Sequence, residues 1–363
     1  MNIVNVMWSG GAPYMSVHKV HQQMLNHADT DARVANWILL GDGLCVGMEQ
    51  ARAWHLPHRA LKRRSPWRLL MPWLRLRLRK ALKQAQADVL LLDGMGVARV
   101  VLPLLRHLPG VRATVLFHGS TRLRGNDIHL LRALPAECLS IAAVSRTLAQ
   151  ALEQALGRPV QTLRIALDPQ VFAGELVTRE QARRSLALPQ AGRQLFGAVG
   201  RLVEGKGFEM LIEAFVELHA RQPDAHLVII GDGELKASLT SRVEALGLDD
   251  CVSLCGYRQD LSQLYRALDW LLVPSRSEGL GLVVQEAVLA DVPVLCSDLP
   301  VFREQLGEAG LYVPVGDQQA WGRALVRCAT RDAGEVARQQ RLVLAPEQAW
   351  DAFRQGAVSL LRS

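Results

Sequence analysis

The chain has 363 residues, 49% of them apolar, and a formal net charge of +7. That length exceeds one ordinary domain and that apolar content supplies two cores, which excludes a disordered or fibrous chain. The longest apolar stretch, VLLLDGMGVARVVLPLL, is broken by Asp93 and Arg99, so it is no spanning helix. Six cysteines without CxxC spacing read as reduced core thiols, not a disulfide framework.

The chain opens on MNIVNVMWSGG, which has no basic head and reads as a first buried strand rather than a signal peptide. Asp29 and Asp31 form a D-x-D in a polar turn before a second strand, RVANWILL. Between Glu49 and Asp88 there is no acidic residue. Arg59, Lys62, Arg63, Arg64, Arg68, Arg75, Arg77, Arg79, Lys80 and Lys83 lie there, with Trp54, Trp67 and Trp73 among them. Such a segment seeks an anion: phospholipid, nucleic acid or a phosphorylated acceptor. As a helix from Trp67 to Lys83 it gathers Trp67, Leu70, Met71, Leu74, Leu78, Ala81 and Leu82 on one stripe, with Arg68, Arg75, Arg79, Lys80 and Lys83 around it. An amphipathic helix packed on its own sheet has that pattern too. However, Pro66 and Pro72 interrupt the run, and tryptophans among arginines suit anionic headgroups. Trp67, Arg68, Trp73, Arg75, Arg77 and Arg79 are therefore expected to face a membrane.

Further strands are expected at DVLLLD, RATVLFHG, LSIAAVS and VQTLRIA. After a restart they follow at QLFGAVGR, HLVIIGDG, CVSLCG, WLLVPS, VPVLCS and GLYVPV. Alternation with helical patterns predicts two doubly wound parallel α/β domains. The turn formers of ALDPQVFAGELVTREQ place the boundary near Phe172. The expected domains are 1–171, completed by a C-terminal helix at 347–363, and 172–346. Two such domains facing each other would put the ligand in a central cleft at the C-terminal edges of their strands, where loops and helix N-termini converge.

The loops at those edges carry the chemistry. GRLVEGKGFEMLIEAF supplies Arg201 and Lys206 ahead of a helix, a set that suits a diphosphate, although a solvated βα loop looks the same in isolation. Neither a P-loop nor a dinucleotide fingerprint is present. In SEGLGLVVQEAVLADVPVLCSD, Glu278 ends a strand, Gly279 and Gly281 permit close backbone approach, and Glu286 follows within a helix. One carboxylate suits sugar hydroxyls and the other a ribose diol; a nucleotide sugar has both.

With E-x7-E from Glu278 to Glu286, Arg201, Lys206, VIIGDGE, VSLCGYRQDLSQLYRALDWLLVPS, VLFHGS and AVSRTL, the chain resembles the family 4 glycosyltransferases of the GT-B fold. The resemblance is strong from about Leu195 to Asp317 and looser before. It implies a retaining, metal-independent hexosyltransferase that uses a nucleotide sugar, UDP- or GDP-linked, as co-substrate and holds no cofactor. Arg201 and Lys206 would hold the diphosphate, Glu286 the ribose and Glu278 the sugar, with backbone N–H groups of Gly281 and Leu282 nearby. Gly10 and Gly11 would approach the phosphates, and His118 would face the sugar from the other domain. Two departures stand out: Asp291 where the family has glycine, expected to alter the helix end, and IALDPQVF in place of Asn-Gly before Asp168.

Rival readings are weaker. His118 as a core histidine remains open. Ser120 has no GxSxG elbow, no His/Cys/carboxylate cluster suggests a zinc site, and D-x-D in a polar turn argues against a metal-bridged transferase. An epimerase or hydrolase would need a second carboxylate partner at the sugar. A nucleic-acid binder would need an RRM, KH or helix-turn-helix pattern. The expected acceptor is a lipid-linked or other glycan, of lipopolysaccharide core or exopolysaccharide type. The expected location is cytoplasmic, peripheral on the inner face of the membrane.

Overall fold

The computed structural model describes residues 1–9, 15–40, 51–56, 71–119, 121–186 and 193–362. They fall into two compact units, Met1–Ile165 with Asp351–Ser363, and Ala166–Trp350.

In the first unit the strands are β1 (Asn2–Ser9), β2 (Arg33–Leu40), β3 (Arg52–Leu56), β4 (Val89–Asp93), β5 (Arg112–Phe117), β6 (Leu139–Ala143) and β7 (Gln161–Thr162). They pair in the order β3-β2-β1-β4-β5-β6-β7, all parallel. In the second unit β8 (Gln194–Val199), β9 (Ala225–Ile230), β10 (Val252–Leu254), β11 (Trp270–Val273), β12 (Val294–Ser297) and β13 (Leu311–Val313) pair as β10-β9-β8-β11-β12-β13, again parallel. Both sheets are doubly wound: the order reverses between β1 and β4, and between β8 and β11. The chain leaves such neighbours in opposite directions, which opens a crevice at their C-terminal ends.

Helices cover both faces of each sheet, so the central strands carry near-continuous apolar runs. Leu90, Leu91 and Leu92 of β4 and Leu271 and Leu272 of β11 are fully buried or nearly so. The helix Phe208–Arg221 packs Phe208, Leu211, Ile212 and Phe215 into the second core, which also holds Trp270 and Trp321. The C-terminal helix Pro346–Arg362 enters the first unit from Asp351 onward. There Arg112 donates to the Arg362 carbonyl at 2.6 Å, and a side chain on Gly356 would meet Leu163 at 2.9 Å.

Two expectations are corrected. The stretch VQTLRIA yields only Gln161–Thr162 as strand, because β6 ends at Ala143; past that point only single bonds follow, from Leu163 N–H to the Ala143 carbonyl at 2.8 Å and from Ile165 N–H to the Val144 carbonyl at 3.4 Å. The edge strand β3 was not expected. Its burial pattern lacks alternation, and its one buried residue, Trp54, lies beside an exposed His55 at a φ of 51°.

The second sheet's edge depends on backbone contact. A Cβ on Gly231, which has a φ of 152°, would lie 1.8 Å from the Gly200 carbonyl oxygen, and the three nearest atoms are all Gly200 backbone that cannot swing aside. Gly231→Ala is therefore expected to destabilise the second unit by about 2–4 kcal/mol. Urea denaturation should show a lower midpoint with an unchanged slope; wild-type stability would remove this contact from the account.

Candidate functional site

The crevice between β8 and β11 gathers three loops. The loop after β8, residues 200–207, is held by the loop after β9 through Leu202 N–H to the Asp232 carbonyl at 2.9 Å and Leu235 N–H to the Leu202 carbonyl at 3.0 Å. On its other side, the Arg276 N–H of the loop after β11 donates to the Gly205 carbonyl at 2.9 Å. Gly207 has a φ of 72°, and a Cβ there would lie 2.3 Å from the Pro274 carbonyl oxygen. Gly207 also precedes the helix Phe208–Arg221, whose N-terminus receives no side-chain cap. Its first N–H groups and positive dipole end are thus left for an anion.

Two cations border that N-terminus. Arg201 is exposed, and its guanidinium has no hydrogen bond or ion pair among the described residues. Lys206 runs its stem 3.5 Å from where a Gly200 Cβ would sit, and its ammonium pairs with Glu278. Ser275 Oγ donates to the same Glu278 carboxylate oxygen at 2.9 Å. The sequence-expected Arg201, Lys206 and Glu278 therefore lie on loops that touch one another. Their side chains are unequally engaged: one cation is free and the other neutralised.

Glu286 lies on the helix Leu282–Leu289, which begins at Gly281 with a φ of 75° and again no side-chain cap. A Cβ on Gly281 would come within 2.6 Å of the Phe302 ring. Tyr265 donates to Glu286 at 2.5 Å. Burial first, and then the Glu286 charge, push the Tyr265 hydroxyl well above its usual pKa, so it stays a donor and fixes that carboxylate. Asp291, expected to alter the end of this helix, lies just past its C-cap residue Ala290. It adopts a φ of 61°, the left-handed conformation that glycine supplies and aspartate tolerates. Asp168 caps the helix Pro169–Glu175 by accepting from Gln170 and Val171 N–H groups at 2.9 and 3.2 Å.

At the edge of the first sheet His118 follows β5. Its Nε2 lies 2.9 Å from His21 Nε2 and 3.7 Å from Asp93 Oδ1, at the end of β4. His21 Nδ1 meets Asn5 Oδ1 at 2.7 Å, and Asp93 Oδ2 accepts from Trp8 N–H at 3.0 Å. Burial, with His18 nearby, holds His118 down at about 3 and His21 well below the usual imidazole range, while burial raises Asp93 to about 6. Among the described residues, His21, Asp93 and His118 have possible ligand atoms within 4.8 Å of one another. Sequence reading found only His118 of the three. Each residue sits on a different element, and only the topology joins them. Asp29 of the D-x-D accepts from Arg362 at 2.5 Å.

The basic segment forms the helix Met71–Gln84, which buries Leu74, Leu78, Ala81 and Leu82. Pro72 does not break it; it sits in the first turn, where its missing N–H has no helical partner to lose. Arg75, expected to face a membrane, is instead half-buried and donates to the Arg99 carbonyl at 3.1 Å, and burial lowers its pKa. Arg77 lies 4.8 Å from the Trp73 ring centre and 5.6 Å from that of Trp54, and Arg52 lies 4.6 Å from Trp54. Trp73 and Leu76 are 56% and 54% exposed, with Arg77 and Lys80 exposed beside them and Arg79 half-buried. No helix among the described residues is long and apolar enough to cross a membrane. Gly10, Gly11, Trp67, Arg68 and Ser120 lie outside the described residues.

Residues 193–331 match the family described as Glycosyl transferases group 1. The chain is 31% identical over 199 residues to a D-inositol 3-phosphate glycosyltransferase of Corynebacterium urealyticum, covering 51% of this chain and 46% of that one. It is 35% identical over 130 residues to the lipopolysaccharide core biosynthesis glycosyltransferase LpsE of Rhizobium meliloti, covering 35% of this chain and 37% of that one. The chain thus spans less than half the length of either curated relative. Among solved structures, Anabaena Alr3699/HepE in complex with UDP and glucose superposes with a TM-score of 0.79 at 18% identity, over 99% of both chains.

The buried carboxyl of Asp93 yields a test by pH. Its folded-state pKa, about 6, lies above the unfolded value of 3.8. The folded form therefore holds its proton more tightly. That contribution to stability is complete below the unfolded value and is lost as pH rises through about 6. Asp93→Asn removes the ionisation and keeps an acceptor for Trp8 N–H. Its melting temperature relative to wild type should become more favourable between pH 4 and pH 7. A pH-independent difference would mean that Asp93 ionises as it does in water.

Proposed function

From a chain of the GT-B fold whose residues 193–331 form a glycosyl transferases group 1 domain, we propose a retaining, metal-independent glycosyltransferase. It moves a hexose from a nucleotide sugar, of the UDP or GDP type, to a hydroxyl of a membrane-associated glycan or glycolipid. The observation that carries this reading is the edge between β8 and β11. There an unpaired Arg201 and the Lys206–Glu278 pair border an uncapped helix N-terminus.

The physical chemistry is a change of partners. A donor's diphosphate brings two to three negative charges, which Arg201, Lys206 and the N–H groups of the helix Phe208–Arg221 take up together. Lys206 then leaves Glu278 for the diphosphate, and Glu278, still oriented by Ser275, is released to accept from sugar hydroxyls. Glu286, steadied by Tyr265, accepts from the ribose diol, and the N–H groups of Gly281 and Leu282 lie at the start of its helix. As the sugar C1–O bond breaks, its electron pair leaves with the diphosphate. The same cations stabilise that growing charge and so perform the service of a divalent ion. The acceptor hydroxyl attacks the oxocarbenium-like carbon on the face the diphosphate leaves and passes its proton to the departing diphosphate oxygen, while His118 hydrogen-bonds the transferred sugar. A lipopolysaccharide core acceptor is supported by the kinship with LpsE.

These roles separate experimentally. A thermal-shift panel of nucleotide sugars identifies the donor, since a ligand of the folded state raises the melting temperature. Arg201→Ala should then weaken the matching nucleoside diphosphate by about 1.5–3 kcal/mol. Glu286→Gln should weaken it as well, whereas Glu278→Gln should spare it and reduce transfer. Turnover should persist in EDTA. Unchanged diphosphate binding by Arg201→Ala removes the phosphate assignment, and rescue of a chelated enzyme by Mn²⁺ removes the metal-independent mechanism.

The exposed Trp73 and Leu76 beside Arg77 and Lys80 support docking on an anionic membrane from the cytoplasmic side. Trp67 and Arg68 precede the helix Met71–Gln84 in the sequence. Each cation near such a surface is worth about 1 kcal/mol. The triple variant Arg77→Glu, Arg79→Glu, Lys80→Glu should lose binding to vesicles of phosphatidylglycerol while keeping transfer to a soluble acceptor. Arg75 is left in place because the fold uses it. Wild-type protein that ignores such vesicles at low salt would give the basic face another role.

A further inference from the structure

His21 and His118 face each other Nε2 to Nε2 at 2.9 Å. At that separation two ring nitrogens share one proton, since two lone pairs repel and two N–H groups collide. The surrounding contacts decide which ring owns it. On the inner side, Asn5 Nδ2 donates to Asn36 Oδ1 at 2.9 Å, so Asn5 presents its oxygen to His21 Nδ1 at 2.7 Å. An amide oxygen takes a donor, so His21 carries its proton on Nδ1 and offers a lone pair at Nε2. On the outer side, the Asp93 carboxylate lies 3.7 Å from His118 Nε2 and favours a proton on that nitrogen. Both ends agree: His118 is N–H at Nε2 and a lone pair at Nδ1. The ring is neutral, because burial holds its pKa at about 3. His118 Nδ1 has no hydrogen-bond partner among the described residues.

We infer that Asn5 and His21 are positioning residues that lock His118 as a hydrogen-bond acceptor at Nδ1, so that this edge of the first sheet recognises a hydroxyl donor rather than a carbonyl or ring oxygen. The inference rests on the proposal above that His118 meets the transferred sugar. It adds a direction: the sugar hydroxyl donates to the histidine. A site committed to an acceptor discriminates against a deoxy or fluoro sugar at the matching position. The deoxy sugar leaves the lone pair unmet, and fluorine sets a second electron-rich atom against it.

The test is the tautomer, read by two-bond ¹H–¹⁵N correlation on the full chain labelled at histidine nitrogen. Between pH 6 and pH 8 the wild type should show His118 protonated at Nε2 and His21 at Nδ1. His21→Phe should mix the His118 tautomers and lower kcat roughly tenfold, the scale of one hydrogen bond. Nucleoside diphosphate affinity should stay unchanged. His21→Gln, whose amide oxygen accepts from the same N–H, should restore both the tautomer and most of the turnover. Wild-type His118 protonated at Nδ1 overturns the inference, and because that spectrum needs no variant, an unfolded His21→Phe cannot obscure it. One equivalent of Zn²⁺ bound by wild type and lost in His21→Phe would also overturn it, by making the trio a metal site. If the tautomers are as stated but His118→Ala keeps full turnover, the recognition of a hydroxyl fails through the assignment of His118. The spectrum distinguishes that failure from failure of the hydrogen-bond chain.

Discussion

The close approach of Gly200 to Gly231 is the constraint on which the second unit's edge depends. Two backbones meet where no Cβ fits, and Gly207 repeats the device against Pro274. Together these contacts press the loop after β8 between its neighbours, so that backbone packing and backbone hydrogen bonds place residues 201–206. Among the described residues, Arg201 then remains free for a ligand, and Lys206 is held only by Glu278. A loop held by Arg201 or Lys206 as structural ties would have spent those charges on itself.

The electrostatics follow from that freedom. Arg201 has no counter-charge among the described residues, and Lys206 has one in Glu278. A partly buried ion pair adds little net stability, because desolvation offsets much of its attraction. Breaking it is costly only when one charge is left without a partner. A diphosphate for the lysine and sugar hydroxyls for the carboxylate would leave neither in that state. The pair thus keeps two charged groups desolvated and oriented at small expense, and the uncapped N-terminus of Phe208–Arg221 adds its N–H groups to the same side.

The first unit handles polarity differently. Around His118 both imidazoles are neutral, and direction comes from a hydrogen-bond chain with the Asp93 carboxylate at its outer end. Asn36, Asn5, His21 and His118 form a chain in which each link fixes the donor or acceptor role of the next. The basic helix shows a third solution. Its Arg77 lies between Trp54 and Trp73, and a planar guanidinium keeps its charge while covering ring faces.

The sequence by itself determined much of this protein. Alternating apolar runs and helical periodicities specified two doubly wound sheets, since that pattern has few other ways to bury its faces. Glycines, cations and carboxylates at strand ends were legible because parallel sheets collect their loops on one edge, which made Arg201, Lys206, Glu278 and Glu286 visible in advance. Tertiary structure decided what depends on residues distant in sequence. It paired Lys206 with Glu278, turned Arg75 onto the Arg99 carbonyl and added β3 to an edge. It let Asp291 take glycine's conformation at a helix end, and it brought His21 and Asp93 to His118 from two other elements. Local patterns encode periodicity and backbone preference. The partner of a charge or an imidazole depends on which strands become neighbours, and only the assembled sheet settles that.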